Sequence, residues 1–210
     1  MPTPIYHITA RDNLPAILAQ GGLHCQKSLA KNRTKYADIT HRSIQDRRAG
    51  TFVPRGPKGR LHDYVPFYFA PRSPMLYAIH KGNVAGCPCA QRDVVYLCSY
   101  AEDVCASGIG FVFTDGHGTM ALTRFYDDLD HLDNVDWPLM QAKYWSDTKT
   151  DGDRKRRRQA EFLVHSFFPL SLVHRIAVSR KSHISPLTTL CHASQLVVPI
   201  SEEPSWYYWD

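Results

Sequence analysis

The 210-residue chain lacks the features that mark membrane-spanning and exported proteins. No apolar run approaches the roughly 18 residues that a membrane-spanning helix needs. The opening stretch MPTPIYHIT has neither a charged start nor an apolar centre. We therefore predict a cytoplasmic protein with no membrane association. Internal repeats, low-complexity tracts and convincing linkers are missing too, which favours a single domain over residues 1–210.

Metal-type cysteine spacing is also missing. Cys87 and Cys89 form one close pair, but the other four cysteines are dispersed, and no second pair is available to complete a zinc site. Reduced, partly buried thiols fit this spacing better. We therefore expect no metal ion in this protein.

Aromatic residues and prolines, by contrast, crowd one segment, residues 61–79, with the sequence LHDYVPFYFAPRSPMLYAI. Central strands of a sheet exclude proline because it cannot donate a backbone hydrogen bond. This aromatic segment is therefore predicted to be either an irregular loop or a wall that receives a flat ligand.

Basic residues are concentrated in four runs, and acidic residues collect elsewhere. The basic runs are KSLAKNRTK, HRSIQDRR, RGPKGR and DRKRRR, whereas the acidic run is YDDLDHLDNVD. Such segregation suits a polyanionic partner, whose phosphates would supply much of the affinity. The alternative is that these runs are only solvated faces of the protein.

Hydrophobic patterns predict strands at PIYHIT, VPFYFA, DVVYLCSY, GFVFTD, AEFLVHSF and RIAVS. Helices are predicted at ARDNLPAILAQGGL, RSIQDRRAG and SPMLYAIHKG. In the first helix, Asp12 or Asn13 can cap and Pro15 fits the first turn. Because the helices fall mostly early and the strands mostly late, we predict an α+β fold with an antiparallel sheet. The polar stretch 137–158 is predicted to be a long loop, a kind of segment that is often functional.

Several blocks, in order along the chain, together resemble a known family. PIYHIT, HRSIQDRR, the aromatic segment, GFVFTDGHG and RRQAEFLV are similar to the DarT family of bacterial DNA ADP-ribosyltransferase toxins. The resemblance covers most of the chain, from Pro4 to Ser179. It implies the ADP-ribosyltransferase fold, an α+β domain with a mostly antiparallel split sheet, flanking helices and a long loop before the catalytic strand. It also implies NAD as co-substrate, thymine in single-stranded DNA as acceptor, and a macrodomain antitoxin of the DarG type as partner.

Glu161 is the predicted catalytic residue. Breaking the bond between nicotinamide and ribose develops an oxocarbenium ion, and a carboxylate beside the ribose would stabilise that transition state. Glu161 could also take a proton from the incoming nucleophile. The alternative is an edge-strand carboxylate that faces water.

The resemblance implies which residues hold the adenosine side of NAD and the nicotinamide amide. His7 would contact the adenosine-side ribose, and the backbone of His7, Ile8 and Thr9 would hold the amide. Asn13 is a further candidate for cofactor binding. For His7, the alternative is a histidine packed in the core with its hydrogen bonds satisfied.

Aromatic and arginine side chains complete the predicted NAD site. Tyr77 would stack on the nicotinamide ring, while Tyr68 or Phe69 would line the same pocket. Arg48 matches a family arginine implicated in catalysis, and Arg47 is the adjacent alternative. Arg48 could bind the NAD diphosphate or help to shift a proton on the acceptor base, and both roles stay open.

Nucleic acid is the predicted acceptor because the basic runs and the supply of aromatic rings suit it. A base in a single strand can reach a buried carboxylate, whereas a paired and stacked base cannot. Two alternatives stay open: a transferase of the same fold that acts on RNA or protein, and a catalytically idle module that binds NAD or nucleic acid. The candidate DNA contacts are Arg47, His117, Arg124, Tyr144, Arg154, Lys155, Arg156 and Arg157.

Overall fold

A computed structural model describes residues 1–209 of the chain. It contains ten strands, which are β1 (Pro4–Ala10), β2 (Gly22–His24), β3 (Tyr64–Tyr68), β4 (Val94–Tyr100), β5 (Phe111–Thr114), β6 (Phe125–Tyr126), β7 (Glu161–His165), β8 (Phe167–Pro169), β9 (Arg175–Val178) and β10 (Ile200–Glu202). Each of the six predicted strands is present.

Eight strands form one large sheet with the order β10-β9-β4-β1-β3-β7-β5-β6, and β2 pairs with β8 in a small second sheet. Every pairing in the large sheet is antiparallel except that of β9 with β10. The predicted α+β class with a mostly antiparallel sheet is therefore confirmed. Helices and strands alternate along the chain, however, so the expectation of early helices and late strands is wrong.

Eight α-helices flank the sheets, namely α1 (Leu14–Ala19), α2 (Gln26–Lys31), α3 (Arg42–Gly50), α4 (Pro74–His80), α5 (Ala101–Ala106), α6 (Trp137–Gln141), α7 (Arg154–Arg157) and α8 (Ile184–Ala193). The three predicted helices are among them, and Pro15 lies in the first turn of α1 as expected. The predicted cap of α1 is wrong, because the Asn13 side chain makes no capping bond. Its amide donates instead to Thr9 Oγ1 and to the Ala37 carbonyl, each at 3.0 Å.

The stretch 137–158 is not a featureless loop, because α6 and α7 lie within it. Asp136 begins α6 by accepting a hydrogen bond from the Leu139 amide at 3.0 Å, and Leu139 and Met140 are buried. Helices of four or five residues complete little more than one turn. They therefore cannot show the repeating pattern on which the sequence prediction relied.

The large sheet is nearly divided between β1 and β3. Seven residue pairs join β1 to β4, whereas β1 meets β3 only where Tyr6 lies opposite Tyr68. From His7 onward, the edge of β1 that faces β3 has no strand partner within residues 1–209. This split leaves backbone N–H and C=O groups in the interior of the domain that are available to a ligand.

Buried apolar side chains form two large clusters and a smaller third one. The larger core contains Phe67, Phe113, Phe162 and Phe168. The second core contains Leu76, Ile79 and Tyr96, and the terminal aromatic residues Tyr207 and Tyr208 complete it. No helix in the described part of the chain is long and apolar enough to cross a membrane.

Candidate active site

Two adjoining cavities open where β1 and β3 part. They share a wall that includes His7, Ile8, Gln45, Arg48 and Pro66. The first cavity extends between α1, α2 and residues 34–40, and the second extends from β3 to α4 and the start of β7. The space inside them, including the solvent at their mouths, is about 900 and 1010 Å³.

Glu161 lies in the wall of the second cavity, where it forms a buried ion pair with Arg48. Arg48 Nη1 donates to both carboxylate oxygens of Glu161, at 3.0 Å to Oε1 and 2.8 Å to Oε2. Glu161 is 4 % exposed, and its strand β7 lies between β3 and β5. The alternative interpretation of Glu161 as a water-facing carboxylate on an edge strand is therefore wrong.

One nitrogen of this ion pair remains unused. Arg48 Nη2 is buried and has no hydrogen-bond partner within the described chain. A buried N–H group without a partner costs about 1–3 kcal/mol. Arg48 lines both cavities, but Nη2 itself is buried, so an acceptor atom of a ligand would reach it only after a shift of the guanidinium group.

Gly118 and Thr114, which the sequence analysis did not predict as site residues, also bond to Glu161. The Gly118 amide donates to Oε1 at 3.1 Å, and the Glu161 amide donates to Thr114 Oγ1 at 3.0 Å. A Cβ atom at Gly118 would lie only 3.3 Å from that carboxylate oxygen and 3.2 Å from the Leu61 side chain. The signal in the sequence was the GHG stretch, in which a glycine permits this close approach.

These contacts keep Glu161 ionised. Burial alone would raise the pKa of its carboxyl group, but the charge and hydrogen bonds of Arg48, together with the Gly118 amide, lower the pKa below its usual value. The cleft therefore contains a fixed negative charge at neutral pH. Such a charge is suited to stabilise a positive charge that develops on a bound substrate.

His7 presents a neutral imidazole to the cleft. Burial lowers its pKa to about 4. Its Nδ1 lies 2.8 Å from the Pro66 carbonyl, an atom that can only accept a hydrogen bond. Nδ1 therefore carries the proton, and Nε2 is left as an acceptor for a ligand hydroxyl.

Tyr68 and His117 complete the wall around Glu161. Tyr68 lies opposite Glu161 in the register of β3 and β7. Nδ1 of His117 accepts from the Thr119 amide at 3.2 Å. Burial lowers the pKa of His117 and favours its neutral form. Because Nδ1 accepts a hydrogen bond, the proton of this neutral form is on Nε2. This proton can be donated to a ligand oxygen.

Comparison with known proteins identifies the family. The profile of the family described as DarT, ssDNA thymidine ADP-ribosyltransferase, matches residues 6–208. This chain belongs to the DarT family. A DNA ADP-ribosyl transferase of Thermus sp. (strain 2.9) is 46% identical over 181 residues, which are 84% of this chain and 81% of the relative. A fusion of a DNA ADP-ribosyl transferase with a DNA ADP-ribosyl glycohydrolase from Thermosipho africanus is 23% identical over 206 residues, which span 97% of this chain and 49% of the fusion.

Solved DarT structures share the fold described above. Thermus sp. 2.9 DarT in complex with ADP-ribosylated ssDNA superposes with a TM-score of 0.90 at 40% identity, over 99% of this chain and 97% of that one. The same Thermus protein in complex with NAD⁺ gives a TM-score of 0.86 at 38% identity, over 99% of this chain and 98% of that one. Membership of the DarT family, the ADP-ribosyltransferase-like fold and the class of DNA ADP-ribosyltransferases are thereby established.

Not every residue predicted to bind NAD lies at the cleft of this DarT chain. Tyr77 does not line either of the two cavities. Its ring packs edge-on against Trp145 and Tyr208, at centroid distances of 5.7 and 5.0 Å. Phe69 is in the larger core. Asn13 does line the first cavity, but its amide is already bonded on both sides, because its Oδ1 also accepts from the Ala37 amide at 2.7 Å.

The basic segment Arg154–Arg157 is mostly engaged within the protein. Arg156 bonds to Asp115 and Asp153, both at 2.8 Å, and its side chain is 11% exposed. Arg157 pairs with Asp136 and Asp151, and Arg154 donates to the Tyr144 and Ser146 carbonyls. Lys155 is more exposed and lies 3.6 Å from Asp147. These pairs fold the segment against the domain rather than leaving four free charges.

The other predicted DNA contacts differ in position. His117 lines the second cavity. Arg47 and Arg124 are exposed, and neither side chain forms an ion pair within residues 1–209. Tyr144 is 76% exposed. Arg47 lies in the last turn of α3, directly before Arg48, so it is the exposed cation nearest in sequence to that residue.

Proposed function

We propose that this DarT-family chain transfers ADP-ribose from NAD to a thymine base of single-stranded DNA, with Glu161 and Arg48 as catalytic residues. The observation that carries this proposal is the ionised carboxylate of Glu161 in the cavity wall, held by Arg48 and the Gly118 amide. The names of its relatives support the chemistry, since the Thermus protein binds NAD⁺ and was solved with ADP-ribosylated ssDNA.

The cavity that contains Glu161 suits the nicotinamide half of NAD, because the carboxylate must lie beside the ribose whose bond breaks. The first cavity would then take the adenosine half. His7 lies in the shared wall, where Nε2 can accept a hydrogen bond from a ribose hydroxyl. The free edge of β1 at His7, Ile8 and Thr9 offers backbone groups to the carboxamide.

In the reaction, the bond between the ribose and nicotinamide breaks and its electron pair leaves with nicotinamide. The positive charge that develops on the ribose is stabilised by Glu161. A ring atom of thymine then forms the new bond to the ribose carbon, and the proton of that ring atom passes to the Glu161 carboxylate, which releases it to water. Arg48 Nη2 is the cleft nitrogen with an unused N–H group. It could bind the diphosphate or a thymine oxygen, and a thymine carbonyl bound there would make the ring proton easier to remove.

The biological setting follows from the same chemistry. ADP-ribosylated DNA would block replication, which fits the toxin of a toxin–antitoxin pair. We infer that the partner is a macrodomain antitoxin of the DarG type that removes the ADP-ribose. The Thermosipho africanus fusion supports this inference because it joins a transferase to a glycohydrolase. A cytoplasmic location is proposed because the substrates NAD and DNA occur there.

Transfer of label from NAD tests the proposed function. The protein is incubated with NAD labelled in its adenosine half and, separately, with single-stranded DNA, duplex DNA, RNA or bulk protein. We expect label only on single strands that contain thymine, and none on matched strands that lack it. Label on RNA or protein would favour the alternative acceptors. An absence of label on every acceptor would favour an idle binding module.

A further inference from the structure

The turn between β3 and α4 has an unusual backbone. Arg72 has a φ of 56°, in the left-handed region that residues other than glycine adopt infrequently. Such a conformation persists where the surrounding structure holds it in place. The turn, Pro71–Ser73, was part of the aromatic segment, yet none of its residues lines either of the cavities described above.

Side chains from three distant parts of the chain hold this turn. Arg158 Nη2 donates to the Pro71 carbonyl at 2.8 Å and to the Arg72 carbonyl at 3.2 Å. The Tyr208 hydroxyl donates to the same Arg72 carbonyl. The Arg72 amide donates to the Tyr96 hydroxyl at 3.4 Å, and the Arg72 guanidinium lies 4.6 Å above the Tyr208 ring.

Tyr208 is itself fixed at both its backbone and its ring. Its amide donates to Gln91 Oε1 at 3.1 Å, and Gln91 Nε2 donates back to its carbonyl. Its hydroxyl accepts from Trp145 Nε1 at 3.3 Å. The ring is 6% exposed and packs against Tyr77. Tyr208 is therefore held in place at both its backbone and its side chain where it contacts the turn.

The turn positions two walls of the second cavity. Ser73 caps α4 by accepting from the Leu76 amide at 3.2 Å, and Pro74, Met75 and Ala78 of that helix line the cavity together with Glu161. Arg158 stands just before β7, the strand that Glu161 opens. The Arg72 carbonyl, two residues before α4, thus accepts hydrogen bonds both from Tyr208 and from Arg158, which precedes β7.

We propose that Tyr208 is a positioning residue for NAD, which holds α4 at the distance that the nicotinamide end requires. This inference rests on the proposed function in one respect, the assignment of nicotinamide to the second cavity. It gives the aromatic end of the chain, which lies beyond the blocks between Pro4 and Ser179, a part in substrate binding. Loss of the Tyr208 hydroxyl should let the turn relax and widen the cavity, without touching the adenosine half.

The adjacent residue offers a matched control. Tyr207 is also buried, and its hydroxyl also donates to a backbone carbonyl, that of Val94 at 2.9 Å. Tyr207→Phe removes this one bond and keeps the ring, whereas Tyr208→Phe keeps the ring but removes both the bond to the Arg72 carbonyl and the bond from Trp145. Both variants should therefore lower the melting temperature, Tyr208→Phe by more. Only Tyr208→Phe should alter the nicotinamide end of the site.

The readout is the affinity for two ligands, carba-NAD⁺, which is bound in one solved Thermus complex, and ADP-ribose, which lacks nicotinamide. We expect Tyr208→Phe to lower the affinity for carba-NAD⁺ by about twofold to tenfold, the range that one neutral hydrogen bond spans. The affinity for ADP-ribose should stay unchanged. Tyr207→Phe should leave the ratio of the two affinities at the wild-type value. The same ratio in both variants, or equal weakening of both ligands by Tyr208→Phe, would overturn the proposal.

The wild-type assay separates this proposal from the proposed function. If wild type transfers ADP-ribose to DNA and the affinity ratio does not move, the positioning role alone fails. If wild type transfers nothing but the ratio shifts as expected, the positioning role holds and the proposed transfer fails. A wild-type protein that does not bind carba-NAD⁺ overturns both.

Discussion

Arginines inside and outside the cleft are used in different ways. Arg48 bonds to Glu161 through Nη1 and leaves Nη2 without a partner in the cleft. Arg156 and Arg157, on the segment that precedes β7, each pair with two aspartates of the same chain. The first arrangement prepares a site for a ligand, whereas the second stabilises a fold. A basic run in a sequence therefore overstates the charge that a nucleic acid can contact.

The largest effect is expected from the carboxylate of the Glu161–Arg48 pair. Glu161→Gln keeps the shape of the side chain and removes the charge that stabilises the transition state, so transfer to DNA should fall by at least about two orders of magnitude. The melting temperature should fall as well, because a neutral amide leaves the buried Arg48 charge without its counterion. Single-turnover kinetics and thermal unfolding of the same samples provide the measurement.

Glu161→Ala sharpens the same test. It would leave Arg48 as a buried charge without its partner, and breaking such a pair costs about 3–5 kcal/mol when the charge stays buried. We therefore expect this variant to be inactive and also clearly less stable than Glu161→Gln. A Glu161→Gln protein that modifies DNA at the wild-type rate would remove Glu161 from the mechanism.

The arginine side should give the next largest effect. Arg48→Lys keeps a positive charge beside Glu161 but has no second nitrogen to replace Nη2. Because a hydrogen bond to a charged group contributes about 1.5–3 kcal/mol, kcat/KM should fall by roughly 10-fold to 100-fold. Arg47→Lys serves as the control at the neighbouring exposed position. Equal activity of the two lysine variants would show that Nη2 contributes nothing.

The basic segment should give a smaller effect, divided between stability and DNA binding. Arg156→Ala removes the bonds to Asp115 and Asp153, so it should lower the melting temperature and leave the salt dependence of DNA affinity unchanged. Lys155→Ala, at the more exposed position, should flatten that dependence by roughly 0.7 in log–log slope if Lys155 meets one phosphate of a single strand. Titrations with a fluorescent strand at several salt concentrations distinguish them, and the reverse outcome would restore Arg156 as a DNA contact.

The smallest expected effect concerns acid sensitivity. His7 has its pKa lowered to about 4 from an ordinary value of 6.5, so between these values the unfolded chain binds a proton that the folded protein does not. Its contribution to stability is therefore present above pH 6.5 and is lost progressively as the pH falls to 4. His7→Asn keeps a donor at the position of Nδ1 for the Pro66 carbonyl and does not titrate. Between pH 7 and 5 it should lose less melting temperature than wild type, and equal losses would contradict the assigned pKa.

The sequence predicted the elements well and the contacts between them poorly. The strands follow from local hydrophobic patterns, and Glu161 and Arg48 follow from the resemblance of whole blocks. The contacts of Gly118 and Thr114 with Glu161 were not predicted, because Glu161 lies in β7, more than 40 residues later in the chain. The aspartates that pair with Arg156 and Arg157 escaped for the same reason, since Arg156 and Asp115 are 41 residues apart. Tyr77 was placed on the cavity by analogy, but it faces Tyr208 and Trp145.

The position of β7 between β3 and β5 has a consequence for the synthesis and folding of this protein. The strand that carries Glu161 fills the gap between β3 and β5, both made earlier in synthesis, and Arg48 and Glu161 meet across 113 residues. Pairings of such long range make folding slow, because the intervening chain must be closed before the contacts form. A chain that stops before β7 leaves two apolar strands with open edges and lacks Glu161. Incomplete copies of this toxin-family protein should therefore be harmless to DNA but prone to aggregate.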